Sequence, residues 1–279
     1  MDIIEFKTKN FNILIVEDSS SMIKIINNFF LDSGFNTFLS TTLKDAREKI
    51  NSIKIDYIIL DINLPDAPNG EVVDYVIEKK NHVIILSGNI DKEFRSRVLK
   101  KNIIDYVNKS GVNDVNYIIQ TIKRVHKNQN HTILIVDDSL VFRKQMQGML
   151  ENMFFKVIAV AHGEEAMGIL QTKSDISLVL TDYHMPVMDG LQLTSEIRKL
   201  YTKNDLTIIT ISNDEKEDTT ALFLKSGAND YIKKPFSKEE FSCRINNSIE
   251  ALENIQTITN HANRDFLTGL YNRRYFFST

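Results

Sequence analysis

A single cysteine, Cys243, in 279 residues leaves no partner for an internal disulfide and no thiolate set for a zinc site. That usage fits a reducing compartment. A basic excess is lacking too. Lys and Arg number 34 against 37 Asp and Glu, a net charge of −3, whereas a nucleic-acid-binding surface advertises a basic patch. No apolar run approaches the roughly 20 residues of a membrane-spanning helix. The opening stretch, residues 1–10, is without the apolar core of a signal peptide. These absences predict a cytoplasmic protein that binds neither nucleic acid nor membrane. What is present is ordinary globular material, 42% hydrophobic and 25% charged. It is enough for two domains of about 120 residues.

The chain repeats itself. Phe11-Asn-Ile-Leu-Ile-Val16 precedes Glu17-Asp18-Ser19, and His131-Thr-Ile-Leu-Ile-Val136 precedes Asp137-Asp138-Ser139. Ile55-Asp-Tyr-Ile-Ile-Leu-Asp61 has its counterpart in Asp175-Ile-Ser-Leu-Val-Leu-Thr-Asp182. His82 to Ser87 matches Leu206 to Ser212, and the run ending at Lys109 matches the run ending at Lys234. Four matches in one order indicate a duplicated domain. The short apolar runs read as buried parallel strands. Helical patterns lie between them. Ser19 caps a first helix with Met22, Ile26, Phe29 and Phe30 on one face, stopped by Gly34, and Ser139 caps its counterpart with Phe142, Met146, Met149, Leu150 and Met153. Alternating strands and helices predict an α/β fold of two doubly wound five-stranded parallel sheets in tandem.

In a doubly wound sheet of strand order 2-1-3-4-5, the flavodoxin-like arrangement, strands one and three are neighbours and ligands bind at their carboxyl ends. Glu17 and Asp18 then lie beside Asp61, and Asp137 and Asp138 beside Asp182. Three carboxylates so close repel unless a cation intervenes. A hard divalent ion, Mg²⁺ with Mn²⁺ as the alternative, suits carboxylate and phosphate oxygens. Lys109 and Lys234 add a second positive partner, and Ser87 and Ser212 a hydroxyl. Such a set can accept a phosphoryl group, with the rim Asp as nucleophile. A nucleotide site of the flavodoxin kind would instead place Gly, Ser or Thr amide donors after strand one. Acids stand there.

The Asp137-Asp-Ser139 run, Asp182-x-x-Met-Pro-x-Met-Asp-Gly190 and Gly227-Ala-x-Asp-Tyr-x-x-Lys-Pro-Phe236 resemble the receiver domain of two-component response regulators. The resemblance covers 11–127 and 131–252, each an expected receiver domain. It implies a phosphoryl group taken from a sensor histidine kinase or phosphotransfer protein by Asp61 or Asp182. The acid pairs would hold metal, together with the backbone carbonyls of Asn63 and His184. Ser87 and Ser212 would follow the phosphate, and Tyr106 and Tyr231 would change rotamer as readout. The first copy departs in four places. Glu17 replaces an Asp, the Asp61–Gly70 loop carries an extra residue within Asp66-Ala-Pro-Asn69, Ser110 replaces the proline seen at Pro235, and the route from Asp61 to Ser87 is shorter. Ser110 is expected to loosen the peptide that presents Lys109. The second copy keeps the pattern more fully.

Beyond the second copy an apolar stripe runs on through Ile255 and Ile258. This predicts a connector helix over 253–263 that pairs with its twin in a homodimer on activation. Residues 264–279 contain Asp265-x-Leu-Thr-Gly-Leu-x-Asn-Arg-Arg274, which resembles the opening of GGDEF diguanylate cyclase domains. The chain stops before the residues that bind GTP in that family. It is therefore expected to make no cyclic di-GMP by itself and to be the regulatory part of a protein that does. The other reading makes one receiver a non-phosphorylated dimerisation or docking adaptor.

Overall fold

The computed structural model describes residues 11–79, 81–88, 94, 97–98, 101, 103–213, 217–265, 268 and 270–276. The expected N-terminal tail, and 266, 267, 269 and 277–279 of the C-terminal motif, lie outside them. The chain divides into two compact units, one ending at Arg124 and the other starting at Val125.

The first unit contains β1 (Asn12–Val16), β2 (Asn36–Ser40), β3 (Tyr57–Leu60), β4 (His82–Ser87) and β5 (Asp105–Asn108). They form one sheet in the order β2-β1-β3-β4-β5, parallel throughout. The second contains β6 (Thr132–Val136), β7 (Lys156–Val160), β8 (Ile176–Asp182), β9 (Thr207–Ser212) and β10 (Asp230–Lys233). Its order is β7-β6-β8-β9-β10, the same topology. The sheets are therefore the doubly wound flavodoxin-like pair read from the repeat.

Buried parallel strands should be apolar on both faces, because helices cover each side. In the second unit Ile133, Ile135, Leu178, Leu180, Ile209 and Ile211 pack against the helices Leu140–Asn152 and Lys238–Asn263. The alternate residues Leu134, Val136, Val179 and Ile208 pack against the helices Gly163–Thr172 and Gly190–Arg198. The period-two alternation of strand side chains thus feeds two cores from one sheet.

Ser19 and Ser139 each accept the amide hydrogen three residues on, capping the first helix of their unit. Gly34 follows the end of the helix Ser20–Asp32 with φ of 83°. The inner face of that helix differs by one step from the sequence reading: Ile23, Ile26 and Phe30 are buried, and Met22 and Phe29 only partly so. The i, i+3, i+7 set that starts at Ile23 is the more deeply buried stripe.

The final helix, Lys238–Asn263, is continuous over 26 residues. It buries Phe241, Ile245, Ile249 and Leu252, while Ile258 is 68% exposed. His131, at the foot of β6, sets its two ring nitrogens 2.8 Å from Ser177 Oγ and 2.8 Å from Glu253 Oε1, so the helix is still tied down one residue past Leu252. After Arg264 the chain turns back. Asp265 accepts from Thr268 N at 3.0 Å and from Thr268 Oγ1 at 2.9 Å, and Asn272 Nδ2 donates to Ala262 O at 2.7 Å. The polar residues of the C-terminal motif thus close a hairpin against the helix end. Among the described residues no helix is long and apolar enough to cross a membrane.

Candidate phosphoacceptor sites

Each sheet delivers its chemistry at the carboxyl ends of its strands. In the first unit Asp61 follows β3 directly and its amide donates to Val16 O at 2.8 Å, which fixes it beside the end of β1. Lys109 follows β5, and its amide donates to Ser87 O at 2.9 Å. The Lys109 ammonium then lies 2.6 Å from Asp61 Oδ2 and 2.6 Å from Glu17 Oε2. Ser87 Oγ donates to Asp61 Oδ1 at 3.1 Å. Glu17, Asp18 and Asp61 offer oxygens that all lie within 4.8 Å of one another, with Asp18 exposed and the other two buried. An all-carboxylate donor set half open to solvent fits a hard, water-retaining ion such as Mg²⁺. The Asn63 amide donates to Asp61 Oδ1 at 3.4 Å, so the turn after β3 folds back on Asp61.

The second site repeats the plan with different spacings. Asp182 ends β8, and Lys234 Nζ lies 2.7 Å from its Oδ1 but 3.3 Å from Asp137 Oδ2. His184 N donates to Asp182 Oδ2 at 3.1 Å, and Ser139 N to Asp137 Oδ1 at 2.8 Å. Ser212 ends β9, where its neighbour Ile211 pairs with Asp182. Asp138 is exposed. Tyr106 and Tyr231, in β5 and β10, are both buried. Tyr231 stacks on Phe223, which also meets Tyr183, the residue after Asp182, edge to face. Among the described residues only the first site gathers three carboxylates within 4.8 Å of one another; Asp137, Asp138 and Asp182 do not come that close together.

Burial pushes the Glu17 carboxyl above its ordinary value, against the pull of Lys109, and Asp61 adds to the rise. Burial likewise raises Asp137, with Lys234 opposing and Asp182 reinforcing. Burial alone would lower Lys109, but its bonds to Asp61 and Glu17 outweigh that and raise it. Lys109 therefore stays charged and holds Asp61 and Glu17 together.

The first copy's departures have structural answers. The loop's Asp66 accepts from Leu43 N at 2.8 Å and Lys44 N at 3.0 Å, capping the helix Leu43–Ser52 from outside. Ser110 does not loosen the peptide presenting Lys109. Its amide, which a proline would lack, donates to Asp114 Oδ2 at 2.7 Å, and the Lys109 amide bond matches that of Lys234 to Ser212 O at 2.8 Å.

Sequence reading missed two neighbours of the second site. Arg143 Nη1 donates to the backbone oxygen of Asp137, a partner without sequence identity. Phe142, read as a core residue, also places its ring 4.1 Å from Lys234 Nζ.

Comparison with known proteins agrees with this geometry. The response regulator receiver domain model matches residues 13–123 and again 133–246. The solved structure of a "probable two-component system response regulator/GGDEF domain protein" is 34% identical, with a TM-score of 0.77 over 88% of this chain and 100% of its own. A chemotaxis protein CheY homolog of Campylobacter jejuni is 32% identical over 108 residues, which is 38% of this chain and 83% of its own. "Probable transcriptional regulator ycf27" of Cyanidium caldarium is 36% identical over 133 residues, 47% of this chain. The match spans about half of that relative's length, 52%. With both halves matched and both sheets in place, the chain belongs to the response regulator receiver family, of which it carries two domains in tandem.

Proposed function

We propose that Asp61 and Asp182 are phosphoacceptors, charged by a sensor histidine kinase or phosphotransfer protein. The supporting observation is the twofold convergence of a buried acid, a rim Asp and a strand-end lysine on one point. In the reaction an Asp oxygen forms a new P–O bond as the P–N bond of a phosphohistidine breaks. The imidazole leaves with its electron pair and is protonated from solvent. Lys109 or Lys234 stays beside the acceptor and neutralises charge on the incoming group, and Ser87 or Ser212 offers it a hydroxyl. Glu17, Asp18 and Asp61, or Asp137, Asp138 and Asp182, would hold Mg²⁺ with the carbonyls of Asn63 and His184; the ion would draw the phosphoryl oxygens in.

The output we propose is regulation of a diguanylate cyclase through homodimerisation of the helix Lys238–Asn263. Support comes from the Asp265–Arg274 motif and from likeness to a response regulator/GGDEF domain protein. Light scattering with and without beryllofluoride and Mg²⁺ tests this. A shift to dimer that Asp182→Asn or Asp61→Asn removes is expected, and an unchanged mass overturns it.

A second reading makes the first receiver an unphosphorylated docking adaptor. It is favoured by the tight double pairing of Lys109, 2.6 Å from each acid. Under it, Asp61→Asn leaves phosphorylation and oligomerisation unchanged.

A further inference from the structure

We infer that Phe142 is a positioning residue that keeps Lys234 off the metal side of the second site. This rests on the Mg²⁺-dependent acceptor reading above. An ammonium carries three donors and no acceptor. Lys234 directs them to Asp182 at 2.7 Å, to Asp137 at 3.3 Å, and to the Phe142 ring with its centroid 4.1 Å away. The side chain is 9% exposed, so the cation–ring contact is made with little competing water.

A ring attracts a cation without neutralising it. Phe142 therefore holds Lys234 in place and leaves the Asp137 carboxylate incompletely paired. The first site is different. Met22 stands in the matching place, three residues after the capping serine, and Lys109 closes to 2.6 Å on Glu17. A cation entering there must compete with a full ion pair. A cation entering the second site meets a carboxylate that the lysine has only half engaged. The extra methylene of Glu17 could also shorten the first pair, and varying Phe142 at constant Asp137 separates the two causes.

The experiment is calorimetric titration of Mg²⁺ into the full chain carrying Asp61→Asn, which leaves the second site to be read. Adding Phe142→Leu is expected to weaken Mg²⁺ binding about three- to tenfold, as Lys234 swings onto Asp137. Phe142→Tyr keeps the ring and is expected to bind as the parent does. Equal affinity in Phe142→Leu, or an equal loss in Phe142→Tyr, overturns the inference. A parent that binds no Mg²⁺ overturns the acceptor reading itself. Should Phe142→Leu fail to fold by circular dichroism, the reciprocal change decides. Met22→Phe in an Asp182→Asn chain is expected to tighten the first site, and an unchanged affinity there counts against Phe142.

Discussion

Lys234 meets Asp182 at 2.7 Å although 52 residues of chain separate them. The contact exists because β8 and β10 flank β9 in a parallel sheet, so both residues emerge at one rim. Lys109 and Asp61 stand in the same relation in the other sheet, 2.6 Å apart. Among the described residues each lysine is the cation that pairs with the acid side chains of its site, and the behaviour of the two receivers follows from that balance.

Replacing Lys109 by Met removes the charge while keeping the stem. Glu17 and Asp61 are then buried beside each other without compensation. A loss of about 3 kcal/mol of unfolding free energy is expected, read by urea denaturation. Millimolar Mg²⁺ is expected to restore part of it, because a divalent cation replaces the missing charge. A variant as stable as wild type without Mg²⁺ contradicts the role given to Lys109.

Gly190 has no room for a side chain. A Cβ there would stand 2.2 Å from the backbone oxygen of Asp182 and 3.1 Å from Tyr183 Cα. Backbone cannot retreat as a flexible side chain would, so Gly190→Ala must displace the end of β8 at Asp182. A loss of about 2 kcal/mol or more is expected, with loss of labelling at Asp182 and none at Asp61. Equal labelling of Asp182 would contradict it.

The pH response has a definite sign. Glu17 and Asp137 have folded values raised above those of the unfolded chain, chiefly by burial. Their protonated forms thus favour folding fully below the ordinary carboxylate range, and that contribution is lost as pH rises through the raised values. Metal binding at either site would run the other way, since each site would need its own buried acid ionised. Mg²⁺ affinity, measured by calorimetry, is expected to climb through pH values above those where an ordinary exposed carboxylate titrates. A midpoint at the ordinary value would contradict the burial argument.

Tyr57, at the foot of the first sheet, is raised to about 12 by burial and, to a lesser degree, by the charge of Asp56. Its neutral form supports folding until the pH passes the unfolded phenol value, and the support is lost towards the folded one. Ultraviolet titration is expected to show a late tyrosinate step that Tyr57→Phe removes. The same step in both proteins would contradict the assignment.

The sheets were legible because apolar runs of five or six residues, each followed by a turn signal, occur twice in one order. The places of Glu17, Asp18, Asp137, the rim Asp residues and the lysines were legible for the same reason: each sits at a strand end, and topology alone brings strand ends together. Helix faces were read less sharply, since Met22 and Ile23 are adjacent and both apolar. Asp66 looked like loop polarity, and its capping of Leu43 and Lys44 depends on where a distant helix begins. Arg143 acts on a carbonyl that every residue carries. Phe142 fits a core pattern and an aromatic contact equally well, and only the path of Lys234 distinguishes them.

The most direct test incubates the full chain with acetyl phosphate and Mg²⁺ and measures its intact mass. The account predicts an increase of up to two phosphoryl groups, one lost in Asp182→Asn, one in Asp61→Asn and both in the double variant. No increase in the wild-type chain, or an increase that survives the double substitution, would contradict it.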